Sequence, residues 1–296
     1  MKNINKLKII KTIYDQGGNI MEFLNDGNKN NINDILISYD LQAGSYIKNF
    51  TKNFDFYNKY GSEIANEINK LGNFESILEI GIGEATTYSV IYNHLKSKPQ
   101  KKLGFDISLS RLLYAKEFLN QQKLKDTSLF TADLFNIPLP DNSIDIVYTS
   151  HSIEPNGGKE LEALKELYRI TKKYLVLLEP AYEFASEKAR KRMEKFSYVK
   201  NLYSTAKKSG YKVIKHELFK YSINKLNPTG ILIIEKKCTK TNVPVLLCPL
   251  TKTQLKNYND EVLFSRESLL AYPIIKKIPC LLKENAIIAT QLDKFY

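Results

Sequence analysis

Three acidic side chains, Glu79, Asp106 and Asp133, follow short apolar runs in the segments SILEI, KKLGFD and SLFTAD. Just past the first lies Gly81-Ile82-Gly83-Glu84-Ala85, where two glycines let the backbone turn tightly and approach a ligand with no Cβ in the way. A helix starting there supplies free amide groups at its amino terminus. Asp106 stands 25 residues beyond Gly81, about the separation at which an acid can hold a ribose diol. Acids at the carboxyl ends of successive strands face the crevice where open α/β sheets bind ligands. Taken singly, each could be a solvated loop acid; the conjunction points to a nucleoside site.

The elements that must position these residues are legible from the hydrophobic pattern. The expected strands are Ser76–Ile80, Lys102–Asp106, Ser128–Ala132, Ile144–Thr149 and Leu175–Glu179. Between them lie expected helices near Thr86–Leu95, Ser110–Gln121, Gly158–Ile170 and Phe184–Lys208. Strict alternation of strand and helix predicts a parallel sheet with helices on both faces, and continuous apolar strands such as YLVLLE fit burial on both sides. Tyr211–Lys220 and Gly230–Lys236 have no helix between them and read as an antiparallel pair closing the sheet edge. Ahead of the core, residues 1–56 read as polar and irregular, with Gly17-Gly18 and Asn25–Asn33 as turns.

Composition narrows the class. Hydrophobic residues make up 43% and charged residues 26%, values of an ordinary globular protein. No apolar run approaches the roughly 20 residues that span a bilayer. The start, MKNINKLKIIK, lacks a signal-peptide core, so no membrane partner and a cytoplasmic location are expected. Cys238, Cys248 and Cys280 are too few and too irregularly spaced for a disulfide framework or a four-ligand zinc site, and no metal is expected. The net charge of +12 invites a nucleic-acid partner, but only five of the 44 basic residues are Arg, the side chain suited to bidentate phosphate and base contacts. Nucleic acid is therefore not the favoured partner.

The segments ILEIGIGEAT, GFDIS and ADLFNIPLPDNSIDIV resemble successive signature segments of class I S-adenosylmethionine methyltransferases, over roughly residues 56–236. The resemblance implies an α/β Rossmann-like, seven-stranded, mostly parallel sheet with one antiparallel strand, and S-adenosylmethionine as cofactor. It implies that Glu79 sits beneath the cofactor, that Gly81 and Gly83 bend around its methionine part, that Asp106 binds both ribose hydroxyls and that Asp133 binds the adenine amino group. Ile107, Leu134, Ser150 and Tyr46 complete the implied cofactor set. Ala85 departs from the family's third small position, usually Gly, a substitution the family often shows. A nicotinamide oxidoreductase of the same fold fits less well, because Thr86 stands where its third glycine belongs. Glu79 and Glu84 would also repel a pyrophosphate, whereas a sulfonium ammonium ligand tolerates them.

On the acceptor side, the loop SHSIEPNGG offers His151, Glu154 and Asn156. His151 reads as a general base or an acceptor-positioning residue, with Glu154 beside it; the alternative is packing beside adenine or capping the next helix. Tyr182 and Glu183, after the fifth strand, could line an acceptor pocket or begin the next helix. Residues 186–220 hold eleven cations against three acids. They either attract an anionic acceptor or form the solvated face of a helix whose apolar stripe is Ala185, Ala189, Met193 and Phe196. Ser38–Ile47 resembles the segment that many family members fold over the cofactor, with Tyr39, Gln42 and Tyr46 as lid residues; the alternative is a plain helix docking onto the sheet.

Beyond Lys240, four prolines punctuate short apolar pieces. LLCPLTKTQL and SLLAYPIIKKIPCLL resemble the small zinc-ribbon activators of methyltransferases, with Thr251 in place of the first pair's second cysteine and no cysteine near Ser265. The expected division is a cap at 1–55, the α/β domain at 56–240 and a small α+β module without metal at 241–296. The expected activity is methylation of a small metabolite or a surface-carbohydrate precursor. The alternatives are methylation of RNA or a translation-related protein, and a non-catalytic scaffold.

Overall fold

The computed structural model describes residues 4–18, 20 and 32–296. Its centre is a seven-stranded sheet in the order β3-β2-β1-β4-β5-β7-β6. The strands are β1 (Ser76–Ile80), β2 (Lys101–Asp106), β3 (Ser128–Thr131), β4 (Ile144–Ser150), β5 (Thr171–Pro180), β6 (Lys212–Leu218) and β7 (Thr229–Glu235). β1 pairs parallel with β2 and β4, β2 with β3 and β4 with β5, whereas β7 runs antiparallel to both β5 and β6. Starting from the centre, the strand order reverses on either side of β1, so the carboxyl ends of β1, β2 and β4 border one crevice.

The continuous apolar strands follow from burial of both faces, since successive side chains point to opposite sides. Leu78, Ile80, Val147, Leu175 and Leu177 pack with Ala163, Leu164, Leu167 and Ile170 of α7 (Glu160–Ile170). Ile77, Ile146, Tyr148, Val176 and Leu178 belong to a second buried cluster. That cluster includes residues of α4 (Phe54–Asn69), α5 (Thr86–His94) and α6 (Leu109–Gln121).

Two expectations are corrected. The amino-terminal segment is not irregular: it contains α1 (Ile4–Asp15), α2 (Ile32–Leu41) and α3 (Ser45–Lys52), while the stretch 25–31 lies outside the described residues. These helices draw on tertiary packing rather than on their own pattern; Phe50 of α3 meets Tyr57 at 5.6 Å and Phe118 at 5.5 Å between ring centroids. The single helix expected over 184–208 is two, α8 (Glu187–Lys195) and α9 (Leu202–Lys208). Ser197 and Asn201 adopt left-handed backbone between them. There the chain is tied to the loop after β4: Gly157 donates to the Ser197 carbonyl and Val199 to that of Glu154, both at 2.9 Å.

Residues 241–296 add a five-stranded antiparallel sheet: β8 (Lys256–Tyr258), β9 (Val262–Ser265), β10 (Leu270–Ile275), β11 (Ile278–Pro279) and β12 (Ile287–Ile288). Its helical content is two short 3-10 turns at Lys283–Asn285 and Leu292–Lys294. It docks along β3 and the following loop, with Leu281 donating to the Thr131 carbonyl at 3.2 Å and Leu247 to that of Pro138 at 2.9 Å. Cys248, Leu255, Tyr272 and Leu281 share one buried cluster with Phe130, Ile137 and Leu78. The Cys248 thiol is buried, yet hydroxyls of Ser265, Thr251 and Ser268 around it pull its pKa down to about 6.

Candidate functional site

The ends of β1, β2 and β4, the loop after β3 and the amino-terminal helices enclose a cavity of about 340 Å³, a size typical of small-ligand sites. Glu79, Gly81, Gly83, Asp106, Ile107, Asp133, Leu134, Ser150, His151, Glu154 and Tyr46 all line it. The eleven residues singled out from sequence are therefore brought together. Asn156 and Tyr39 join them, but Gln42, Tyr182 and Glu183 do not. Gln42 turns back to donate to Ser38 Oγ at 3.1 Å, and the Tyr182 hydroxyl donates to Glu194 at 2.5 Å.

Each acid is set by its strand and turn. Glu79 is 3% exposed in the sheet centre and accepts from the Tyr148 hydroxyl at 2.9 Å. Burial, with the Asp106 charge nearby, pushes its pKa up to about 8 against the pull of Tyr148. Asp106 accepts from Gly83 N and Ser108 N, both at 2.9 Å, which locks it against the glycine turn. Burial raises Asp106 as well, with the Arg111 charge and the backbone amides opposing. Asp133 is half-buried and caps Phe135 N at 2.9 Å through Oδ1. Burial raises its pKa too. Gly81 and Gly83 sit at φ +64° and +55°, the left-handed region open to glycine.

The roof is bound to these same turns. Asp40 of α2 accepts from Ser108 Oγ at 2.6 Å and Ser110 Oγ at 3.0 Å. Glu84, 1% exposed, accepts from Gly44 N at 2.9 Å and Ile47 N at 2.7 Å at the start of α3, so its charge is spent on that helix rather than on a ligand. Arg111 lies 4.0 Å from the Tyr46 ring and 4.9 Å from the Tyr39 ring, holding both against the cavity.

At the other end of the cavity His151 has left-handed backbone, φ 56°. That shape is held by Glu179 at the end of β5, whose carboxylate accepts from the amides of Ser152, Ile153 and Glu154, each at 3.1 Å. Burial raises Glu179 to about 7, against the His151 charge. His151 Nδ1 donates to Glu154 Oε2 at 2.5 Å, and Nε2 contacts Thr229 Oγ1 at 2.8 Å. Burial opposes the imidazolium, but the hydrogen bond and charge of Glu154 outweigh it and raise His151 above its usual value. Burial would raise Glu154, yet His151, Asn227 and Tyr198 together lower it. Asn227 Nδ2 donates to the same Oε2 at 2.8 Å.

Sequence reading set Glu179 on the acceptor rim after the fifth strand but missed Arg111, Arg192, Tyr198, Asn227 and Thr229. None of these lies in a motif with the residues it meets; the order of the sheet and the 196–201 connector bring them in.

Residues 77–174 match the family model described as a methyltransferase domain. A curated relative, malonyl-[acyl-carrier protein] O-methyltransferase of Marinomonas sp. (strain MWYL1), is 29% identical over 148 residues, 47% of this chain and 53% of the relative. The chain thus spans about half the length of the curated relative it matches. The fold is similar to magnesium protoporphyrin IX methyltransferase of Synechocystis PCC 6803, solved with bound SAH: TM-score 0.50, 12% identity, covering 68% of this chain and 99% of that one. The matched span begins in β1 and ends in β5, within the seven-stranded sheet whose strand tips border the cavity. Among the described residues no helix is long and apolar enough to cross a membrane.

Proposed function

We propose that this chain transfers a methyl group from S-adenosylmethionine to a small-molecule acceptor held in the same cavity, in the class of small metabolites or surface-carbohydrate precursors. The observation that carries the reading is that Glu79 on β1, Asp106 on β2 and Asp133 in the loop after β3 line one roofed cavity together with the Gly81–Gly83 turn. The donor set fits the cofactor. Asp106 keeps carboxylate lone pairs beyond its two amide partners for a ribose diol, and Asp133 Oδ2 is available to an amino group. Glu79 is held uncharged near neutrality by burial and becomes the natural neighbour of a cation. S-adenosylmethionine, when bound, supplies the methyl group on a cationic sulfonium. The protein's part is then alignment and exclusion of water, which α2 and α3 provide from above.

His151 is assigned here as a positioning residue. Glu154 can only accept, so Nδ1 carries the proton, and Nε2 is engaged by Thr229. Neither ring nitrogen is left for an acceptor's proton. An acceptor that is already nucleophilic at neutral pH, needing no base, suits this site. The curated relative, an O-methyltransferase by name, is in keeping with an acceptor that reacts through oxygen.

The test is calorimetric titration with S-adenosylhomocysteine, followed by methyl-labelled S-adenosylmethionine over a fractionated metabolite extract. Binding to wild type, roughly tenfold or greater loss in Asp106→Ala, and label in the small-molecule fraction are expected. His151→Ala is expected to lower turnover while preserving the slope of rate against pH. A folded protein that binds no S-adenosylhomocysteine would overturn the reading, and label confined to RNA would overturn the acceptor class.

A further inference from the structure

Among the residues that line the cavity, Arg111, Ser152, Arg192 and Asn227 carry buried polar atoms with no partner, and the last two supply one of each kind: Nη1 of Arg192, a donor, and Oδ1 of Asn227, an acceptor. Buried polar atoms are rarely left unpaired, so a donor and an acceptor on two residues that line one cavity call for a shared partner. Neither is free to turn to the other's neighbours. Glu154 is an acceptor only, so Asn227 must present its NH₂ there, at 2.8 Å, which fixes the carbonyl oxygen elsewhere. Burial and Glu154 push Tyr198 up to about 12, keeping its hydroxyl a donor beside that carboxylate.

Arg192 is singular on its helix. Lys188, Lys191 and Lys195 of α8 are exposed, and Arg190 is committed to the carbonyls of Tyr182 and Glu183 at 3.0 and 2.9 Å. Arg192 instead lines the cavity, its guanidinium 4.9 Å from the Phe196 ring and 5.6 Å from the Tyr198 ring. Two aromatic faces hold the planar fork in place, so little side-chain freedom remains to be lost on binding. The left-handed Ser197 turns Tyr198 back, with its amide donating to the Met193 carbonyl at 2.9 Å, and so sets that stack. The basic segment 186–220 thus divides: Ala185, Ala189 and Met193 are buried as a stripe, most cations face solvent, and one guanidinium faces the site.

We propose that the methyl acceptor is a small acid, its anionic oxygen bound by Arg192 Nη1 and a hydroxyl or amino group donating to Asn227 Oδ1; this rests on the methyl-transfer reading above. The acid is a carboxylate or a phosphate, and an acid lacking the second donor leaves Asn227 unpaired and binds more weakly.

Ligand-observed saturation-transfer NMR on the S-adenosylhomocysteine-loaded protein tests this, with D-glycerate, glycerol 3-phosphate and propionate as probes. The hydroxyl-bearing acids are expected to bind more tightly than propionate, and whichever of the two binds more tightly identifies carboxylate or phosphate. Arg192→Leu is expected to weaken that binding at least about tenfold with S-adenosylhomocysteine affinity within twofold of wild type. Arg192→Lys is expected to recover part of the loss, while Lys191→Gln, which removes the same charge from the exposed side of α8, leaves it unchanged. Equal binding in wild type and Arg192→Leu, or no binding of either hydroxy acid to wild type, overturns the proposal. The same titrations run without S-adenosylhomocysteine separate the two readings: failure of the nucleoside to bind sinks methyl transfer, while the probes still report on Arg192.

Discussion

Replacing Gly81 by alanine probes the turn on which the whole cavity depends. At φ +64° any side chain is strained, by roughly 1–2 kcal/mol. The added Cβ would also stand 2.4 Å from Ser152 Cβ, an atom fixed to the backbone and unable to rotate away. Ser152 and Ile153 are in turn held by Glu179, so relief requires breaking those amide contacts or shifting β1. Overpacking of this kind costs about 1–3 kcal/mol, giving a total near 2–5 kcal/mol. Gly83→Ala supplies the control: its φ is +55°, but the new Cβ would meet only Arg111 Nη1, at 3.4 Å, an ordinary contact with a flexible end. It should lose only the backbone share, about 1–2 kcal/mol. Urea unfolding of both variants gives the comparison, and thermal unfolding should place Gly81→Ala below Gly83→Ala by several degrees for a chain of this size. The displaced 151–156 loop should also weaken S-adenosylhomocysteine binding in Gly81→Ala more than in Gly83→Ala. Equal losses in the two variants would mean that the loop after β4 yields freely and that its contact with Gly81 constrains nothing.

Two further expectations follow from burial. Glu79 has a folded pKa of about 8 against an ordinary 4.5, so its contribution to stability is complete below the ordinary value and is lost as pH rises through the folded one. A cation bound beside it favours the ionised form, so S-adenosylmethionine should release a proton on binding near pH 7; binding enthalpies identical in phosphate and Tris buffers would contradict this. Tyr272 of the carboxy-terminal sheet is fully buried in the cluster that contains Leu78 and Phe130, so Tyr272→Ala should cost about 3–5 kcal/mol while the chain still unfolds in one transition. A separate low-temperature transition that leaves nucleoside binding intact would show that the two sheets do not share stability.

The expectations that held and those that failed differ in the range of the forces behind them. β1 appears at Ser76–Ile80, where the pattern placed it, because a five-residue run buried on both faces is apolar throughout and bounded by polar turns. The amino-terminal helices were not legible, since α2 and α3 gain their order from Asp40 on Ser108 and Ser110, Glu84 on α3 and Phe50 on Phe118, partners up to 70 residues away. The break between α8 and α9 was hidden for a related reason: Lys-, Ser- and Tyr-rich sequence continues a helical pattern, and only hydrogen bonds from the loop after β4 interrupt it.

By itself the sequence determined the strand tips and the acids that stand on them, because alternation of apolar runs with turn residues is a local signal and the sheet aligns those tips of necessity. Tertiary structure alone decided what faces them. Arg192, Tyr198 and Asn227 reach the cavity from a helix and two connectors, Thr229 of β7 reaches His151 from behind the wall, and the roles left to His151 and Glu154 depend on which partners burial makes them share. Covalent order cannot encode that convergence locally: the charge and hydrogen-bonding state of a buried side chain are set by neighbours distant in the chain, and those neighbours exist only once the sheet has closed.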